Sequence, residues 1–156
     1  MLSRADYAKS KRTQLYTYQV RREPSWKRGN FVSSVLIVDD DPGFTRLATL
    51  ILRQEGFQVW QAANGEEGLQ VLNLQEPDLV LLDLRMPKMD GRSFYRQARE
   101  TGYKGRVIIS SAFGAEEGRT ELGADAALPK PFEPGDLVSY VNRALGIHPG
   151  SAWLRR

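Results

Sequence analysis

Residues 35–42 read Val35-Leu36-Ile37-Val38-Asp39-Asp40-Asp41-Pro42, and this stretch decides the fold. Four consecutive apolar residues suit a strand buried on both faces, as in a parallel sheet covered by helices. Asp41-Pro42 then reads as a helix start, with Asp at the N-cap and Pro at the first helical position. Phe44, Leu47, Ala48, Ile51 and Leu52 recur at helical spacing behind it. Strand, acidic turn and helix therefore follow one another within a few residues.

The same unit repeats downstream. Gly56 ends the first helix, and Phe57 to Trp60 reads as a second strand. Asn64 caps a second helix, with Glu66 and Glu67 in its first turn and Leu69 and Leu72 on one face. Leu79-Val80-Leu81-Leu82 is a third buried strand. Asp90-Gly91 opens a third helix, which carries Phe94 and Ala98 and stops at Gly102. Val107-Ile108-Ile109 is a fourth strand, followed by a short helical stretch near 115–122. Ala126 to Leu128 is a fifth strand, and Leu137, Val141, Ala144 and Leu145 line a final helix from Pro134. Five βα units predict a doubly wound parallel sheet with helices on both faces. In such sheets ligands bind outside the carboxyl ends of the strands.

Composition narrows the chemistry. The 156 residues contain no Cys, which excludes a disulfide scaffold, a thiolate metal site and a thiol nucleophile. The one His, His148, argues against multi-His metal sites and Ser–His chemistry. No apolar run approaches the roughly 20 residues of a membrane span, and the N-terminus has no signal-peptide core. The expectation is a cytoplasmic, reduced compartment. The formal charge of +3 hides a split. Residues 1–33 hold eight basic and two acidic residues, net +6, whereas 34–150 hold 12 basic and 17 acidic, net −5. The basic segment shows no sustained period and is expected to be a poorly ordered arm. Tyr7, Tyr16, Tyr18 and Trp26 interleave with its charge, so nucleic-acid contact is an alternative role for it.

Chemistry-bearing residues stand at the strand ends: Asp39, Asp40 and Asp41 after the first, Asp83 after the third, Ser110 and Ser111 after the fourth, and Lys130 between Pro129 and Pro131 after the fifth. Taken singly, each has an ordinary reading as a cap, a turn residue, loop polarity or a solvated Lys. Asp41 is assigned to capping. If the first and third strands are neighbours, Asp39, Asp40 and Asp83 converge. Three like charges that close repel unless cations intervene. A divalent cation together with Lys130 would balance them, and oxygen ligands of this kind suit Mg²⁺. A hard cation, an ammonium and a hydroxyl around a central carboxylate suit phosphoryl transfer onto that carboxylate.

At this point the chain resembles the receiver domain of the two-component response-regulator family. The resemblance is carried by VLIVDDDP at 35–42, LLDLRMPKMDG at 81–91, IISSA at 108–112 and GADAALPKPF at 123–132, and it covers residues 34–146. It implies a flavodoxin-like (βα)5 fold with strand order 2-1-3-4-5. It implies Asp83 as phosphoryl acceptor, Asp40 as a direct Mg²⁺ ligand, Asp39 as its acid-pocket partner and the backbone carbonyl of Arg85 as a further ligand. Ser111 would bond the phosphoryl group, Lys130 would match the family lysine, and the Lys130–Pro131 bond would be cis. The implied partner is a sensor histidine kinase or a histidine phosphotransfer protein, and the implied role is a signalling phosphoacceptor rather than an enzyme acting on other substrates.

Two departures bear on output. Where the family often has Tyr or Phe three positions before the lysine, this chain has Ala127. The stretch from Ser111 to Gly123 is also about one turn shorter than the family's usual fourth helix, with Gly118 inside it. After Leu145 only IHPGSAWLRR remains, a tail over 147–156, so the expected output is contact with a downstream protein target or passage of phosphate along a relay. The alternatives are a nucleic-acid-binding regulator using the basic arm, and a degenerate receiver that works without phosphate. An Asp-nucleophile phosphatase of haloacid-dehalogenase type needs a second Asp two residues after the nucleophile, and that position is Arg85.

Overall fold

The structure, a computed structural model, describes residues 32–148. The basic arm over 1–31 and the tail from 149 onward lie outside the described residues. Ten elements alternate: β1 (Ser34–Val38), α1 (Pro42–Gln54), β2 (Gln58–Ala62), α2 (Gly65–Gln75), β3 (Leu79–Leu82), α3 (Gly91–Glu100), β4 (Arg106–Ile109), α4 (Ala115–Leu122), β5 (Ala126–Ala127) and α5 (Pro134–Ala144). All strand pairs are parallel, in the order β2-β1-β3-β4-β5. This is the flavodoxin-like, doubly wound arrangement.

The apolar runs explain the layering. Side chains alternate across a strand, so Leu36 and Val38 face one side of the sheet and Val35 and Ile37 the other. The first side packs with Leu72 of α2, Phe94, Tyr95 and Ala98 of α3, and Ala115 of α4. The second packs with Ala48 and Leu52 of α1 and with Leu137 and Val141 of α5. Every residue of β1 and β3 is buried, as a central strand covered on both faces requires.

Three helix starts follow the local chemistry. Asp41 accepts from the N–H groups of Gly43 and Phe44, Asn64 from Glu67, and Asp90 from Ser93. The second strand differs from expectation: it begins at Gln58, not Phe57. Gly56 adopts φ +88°, and its N–H bonds to the Arg53 carbonyl while that of Phe57 bonds to Leu52. Phe57 thus closes the helix in a Schellman motif before the strand starts. The fifth strand is also shorter, ending at Ala127. Leu128 still donates to Ile109, but Pro129 has no N–H with which to extend the ladder.

At the edges of the domain, Ser33 already accepts from Gln58, and Ile147 donates to Asn142 and packs on the α1/α5 side. Among the described residues no helix is long and apolar enough to cross a membrane.

Candidate functional site

Register places the acids. Val38 of β1 pairs with Leu82 of β3. The next residue of each strand, Asp39 and Asp83, therefore emerges level with the other at the carboxyl edge. The backbone holds them there: Asp83 N–H donates to the Val38 carbonyl at 2.9 Å, and Asp39 N–H to that of Ala62 at 3.0 Å. Here the strand order reverses, since β1 feeds β2 on one side and neighbours β3 on the other, which is the switch point at which such sheets bind ligands. Asp39, Asp40 and Asp83 each offer a carboxylate oxygen, and these oxygens lie within 4.8 Å of one another.

The environments of the three differ. Asp39 and Asp83 are buried, while Asp40 is exposed. Asp39 accepts from the Asp41 N–H through Oδ1 at 2.9 Å and from Lys130 Nζ through Oδ2 at 2.5 Å. Burial pushes its carboxyl above the usual carboxylate range; the Lys130 ammonium and the Asp41 N–H oppose the rise, and the nearby Asp83 adds to it. Asp83 Oδ1 accepts from the Leu84 N–H at 2.8 Å. Among the described residues no hydrogen bond or ion pair holds the Asp40 carboxylate.

Lys130 reaches the site from the loop after β5. Its N–H donates to the Ser111 carbonyl at 3.1 Å, which sets the ends of β4 and β5 side by side. The Lys130–Pro131 bond is cis. Ser111 is buried, and so is Ser110, whose Oγ has no hydrogen-bond partner among the described residues. Arg85 lies two residues beyond Asp83, with its guanidinium 5.2 Å from the ring centre of Phe113. The carboxylates of Asp39, Asp40 and Asp83 and the Lys130 side chain thus meet at one edge of the sheet. Asp41 is turned to capping.

Three carboxylates and one ammonium leave a net charge of −2. All the donors are hard oxygens, two of them on buried residues. That donor set fits one small divalent cation such as Mg²⁺.

The family model of the response regulator receiver domain matches residues 35–142. The chain belongs to the response regulator receiver family. It is 37% identical over 117 residues to sporulation initiation phosphotransferase F of Bacillus subtilis, covering 72% of this chain and 94% of that one. It is 40% identical over 117 residues to the transcriptional regulatory protein CpxR of Klebsiella pneumoniae, covering 73% of this chain but only 50% of the relative. The receiver domain of the sensor histidine kinase PA1611 from Pseudomonas aeruginosa superposes with a TM-score of 0.69 at 27% identity, covering 74% of this chain and 98% of that one. That structure has a magnesium ion coordinated in its active site cleft.

Two close contacts of the receiver site cannot be read from the sequence. Phe44, which at helical spacing is simply an apolar position, stands with its ring centre 3.9 Å from Lys130 Nζ. Gly91 lies directly against the Asp83 backbone. The Gly in MDG reads from sequence as a helix start, and the backbone it presses on is brought there only by the fold.

Proposed function

We propose that Asp83 accepts a phosphoryl group from a sensor histidine kinase or a histidine phosphotransfer protein in a Mg²⁺-dependent step. An Asp83 carboxylate oxygen attacks phosphorus, and the P–N bond to the donor imidazole breaks. The electron pair stays on that nitrogen, and an acyl phosphate forms on Asp83. The convergence of Asp39, Asp40 and Asp83 beside Lys130 carries this reading. Asp40, Asp39, Asp83 and the backbone carbonyl of Arg85 would hold the metal. When bound, Mg²⁺ supplies positive charge against the phosphoryl oxygens. Lys130 brings a second positive charge from the Asp39 side, and Ser111 a hydroxyl from the end of β4.

The domain acts on its own Asp83 rather than on a turnover substrate, and its output is contact with a downstream protein or onward transfer of the phosphoryl group. The nearly full-length match to a phosphotransferase supports this output. The transcriptional regulator CpxR is matched over only half its length. The test is mass spectrometry after incubation with acetyl phosphate, with and without Mg²⁺. The wild-type protein should gain one phosphoryl group only when Mg²⁺ is present, and Asp83→Asn should gain none. Equal labelling of the two proteins would overturn the assignment.

A further inference from the structure

Among the described residues the ammonium of Lys130 meets a carboxylate and an aromatic ring. Asp39 Oδ2 lies 2.5 Å from Nζ, and the centre of the Phe44 ring 3.9 Å from it. The ring belongs to the first turn of α1, whereas Lys130 belongs to the loop between β5 and α5. Phe132, two residues beyond Lys130, meets Phe44 edge-to-face at 5.8 Å with the ring planes at 85°. The loop that delivers the ammonium therefore also fixes the ring that receives it. A flexible four-carbon stem gives lysine many rotamers and no preferred direction. Asp39 alone would leave the ammonium able to swing toward water around a single contact. With only 18% of the Lys130 side chain exposed, the contact with the ring is largely desolvated, and there cation–π attraction is strongest.

We propose that Phe44 is a positioning residue for Lys130, holding the ammonium at the mouth of the acid pocket by cation–π contact so that it is in place when a phosphoryl group arrives. This rests on the reading of Asp83 as acceptor. Phe44 acts through Lys130, by lowering the disorder that the lysine must lose as the phosphoryl group is transferred.

The test separates the ring's electrons from its bulk. Phe44 is replaced by phenylalanines carrying one, two and three fluorines, which weaken the ring face at nearly constant shape, and separately by Leu. One readout is the ¹⁵Nζ ammonium signal of Lys130 in the metal-free protein, which is visible only when the group is held and exchanges slowly with water. The other is the rate of phosphoryl uptake from acetyl phosphate at saturating Mg²⁺. The signal should weaken and the rate fall stepwise with each fluorine. Phe44→Leu should be roughly 5- to 30-fold slower than wild type. Melting temperatures should not follow that order, since fluorination leaves the ring apolar. A signal and rate that stay constant across the fluorine series, or that simply track melting temperature, would overturn the proposal. If the wild-type protein takes up no phosphoryl group, the acceptor reading fails, and the Lys130 signal still decides whether the ring holds the ammonium.

Discussion

A β-carbon on Gly91 would stand 2.1 Å from the carbonyl oxygen of Asp83 and 2.8 Å from the α-carbon of Leu84. Both are backbone atoms that no rotamer change can move. The first residue of α3 is therefore pressed flat against the end of β3, with its N–H bonded to the Leu84 carbonyl at 3.0 Å. Gly91→Ala should force helix and strand apart and cost about 3 kcal/mol in urea unfolding. Gly135→Ala is the contrast. It lies within α5 with nothing inside 4 Å of the added carbon, and should stabilise by about 0.5 kcal/mol. An unchanged unfolding midpoint for Gly91→Ala would mean that this close approach is absent.

Asp40 and Asp41 are adjacent but have separable jobs. The Asp41 side chain caps α1, so Asp41→Ala should cost about 1 kcal/mol of stability and leave Mg²⁺ affinity nearly unchanged. Asp40 is exposed and faces the other two carboxylates, so Asp40→Ala should weaken Mg²⁺ roughly tenfold or more with little loss of stability. Calorimetric Mg²⁺ titration beside thermal melts would check both. A larger loss of Mg²⁺ affinity in the Asp41 variant would mean that the acid pair is offset by one residue.

The parts of the fold legible in the sequence are those set by neighbours along the chain or by burial on both faces. β1 and β3 are central strands, so their apolar runs are unbroken. Asp41, Asn64 and Asp90 cap helices through bonds reaching only two or three residues. Phe57 misleads because its apolar side chain suits a strand while its N–H completes the helix closure before it. Strand order is another matter: periodicity alone does not state that β1 lies between β2 and β3, and the motif resemblance supplied it. Contacts between distant segments leave no local pattern at all. Phe44 meets Lys130 across 86 residues, and Glu121 pairs with Arg92 and Arg96 across α3 and α4. Gly118 looks like a weak point in a helix, yet it is buried against the side chain of Leu84.

The Lys130–Asp39 pair gives a pH-dependent outcome. Burial already raises the folded Asp39 carboxyl above its ordinary value of 3.8. A group shifted this way contributes stability that is present below its unfolded pKa and is lost as pH rises through the folded one. Lys130→Met removes the ammonium that opposes the shift and leaves burial and Asp83 to increase it. The variant should therefore be close to wild type near pH 4 and fall behind as pH rises, by about 3 kcal/mol or more at pH 7. Denaturant unfolding at a series of pH values would check this. A deficit that is constant across the series would show that the loss comes from packing and not from the unpaired carboxylate.

The last expectation concerns how the site speaks to α4. Where a large aromatic is common in the family, Ala127 places only a methyl group, in the same apolar cluster as Leu84 and Ala115. No ring is there to rotate. The direct physical link is Leu84: its N–H donates to Asp83 Oδ1 at 2.8 Å, and its Cδ1 would lie 2.7 Å from a β-carbon on Gly118. Besides the Leu84 contact, helix α4 is held by buried Ala115 and by Leu122 on the same cluster. It spans eight residues, starts from Gly114 at φ +67° without a side-chain cap, and is tied to α3 through exposed ion pairs of Glu121. So short a helix is marginal alone, and exposed pairs contribute at most about 1 kcal/mol. Its stability therefore depends on its packing, the seat of Leu84 included, and Leu84 donates its N–H to the carboxylate proposed as acceptor. Amide hydrogen exchange over 112–122 should be fast in the free protein and roughly tenfold or more slower in a beryllofluoride-loaded one. Leu84→Ala should erase the difference by removing the side chain that reaches Gly118. Strong protection of 112–122 in both states would mean that α4 is already rigid, and this route from acceptor to surface would then be wrong.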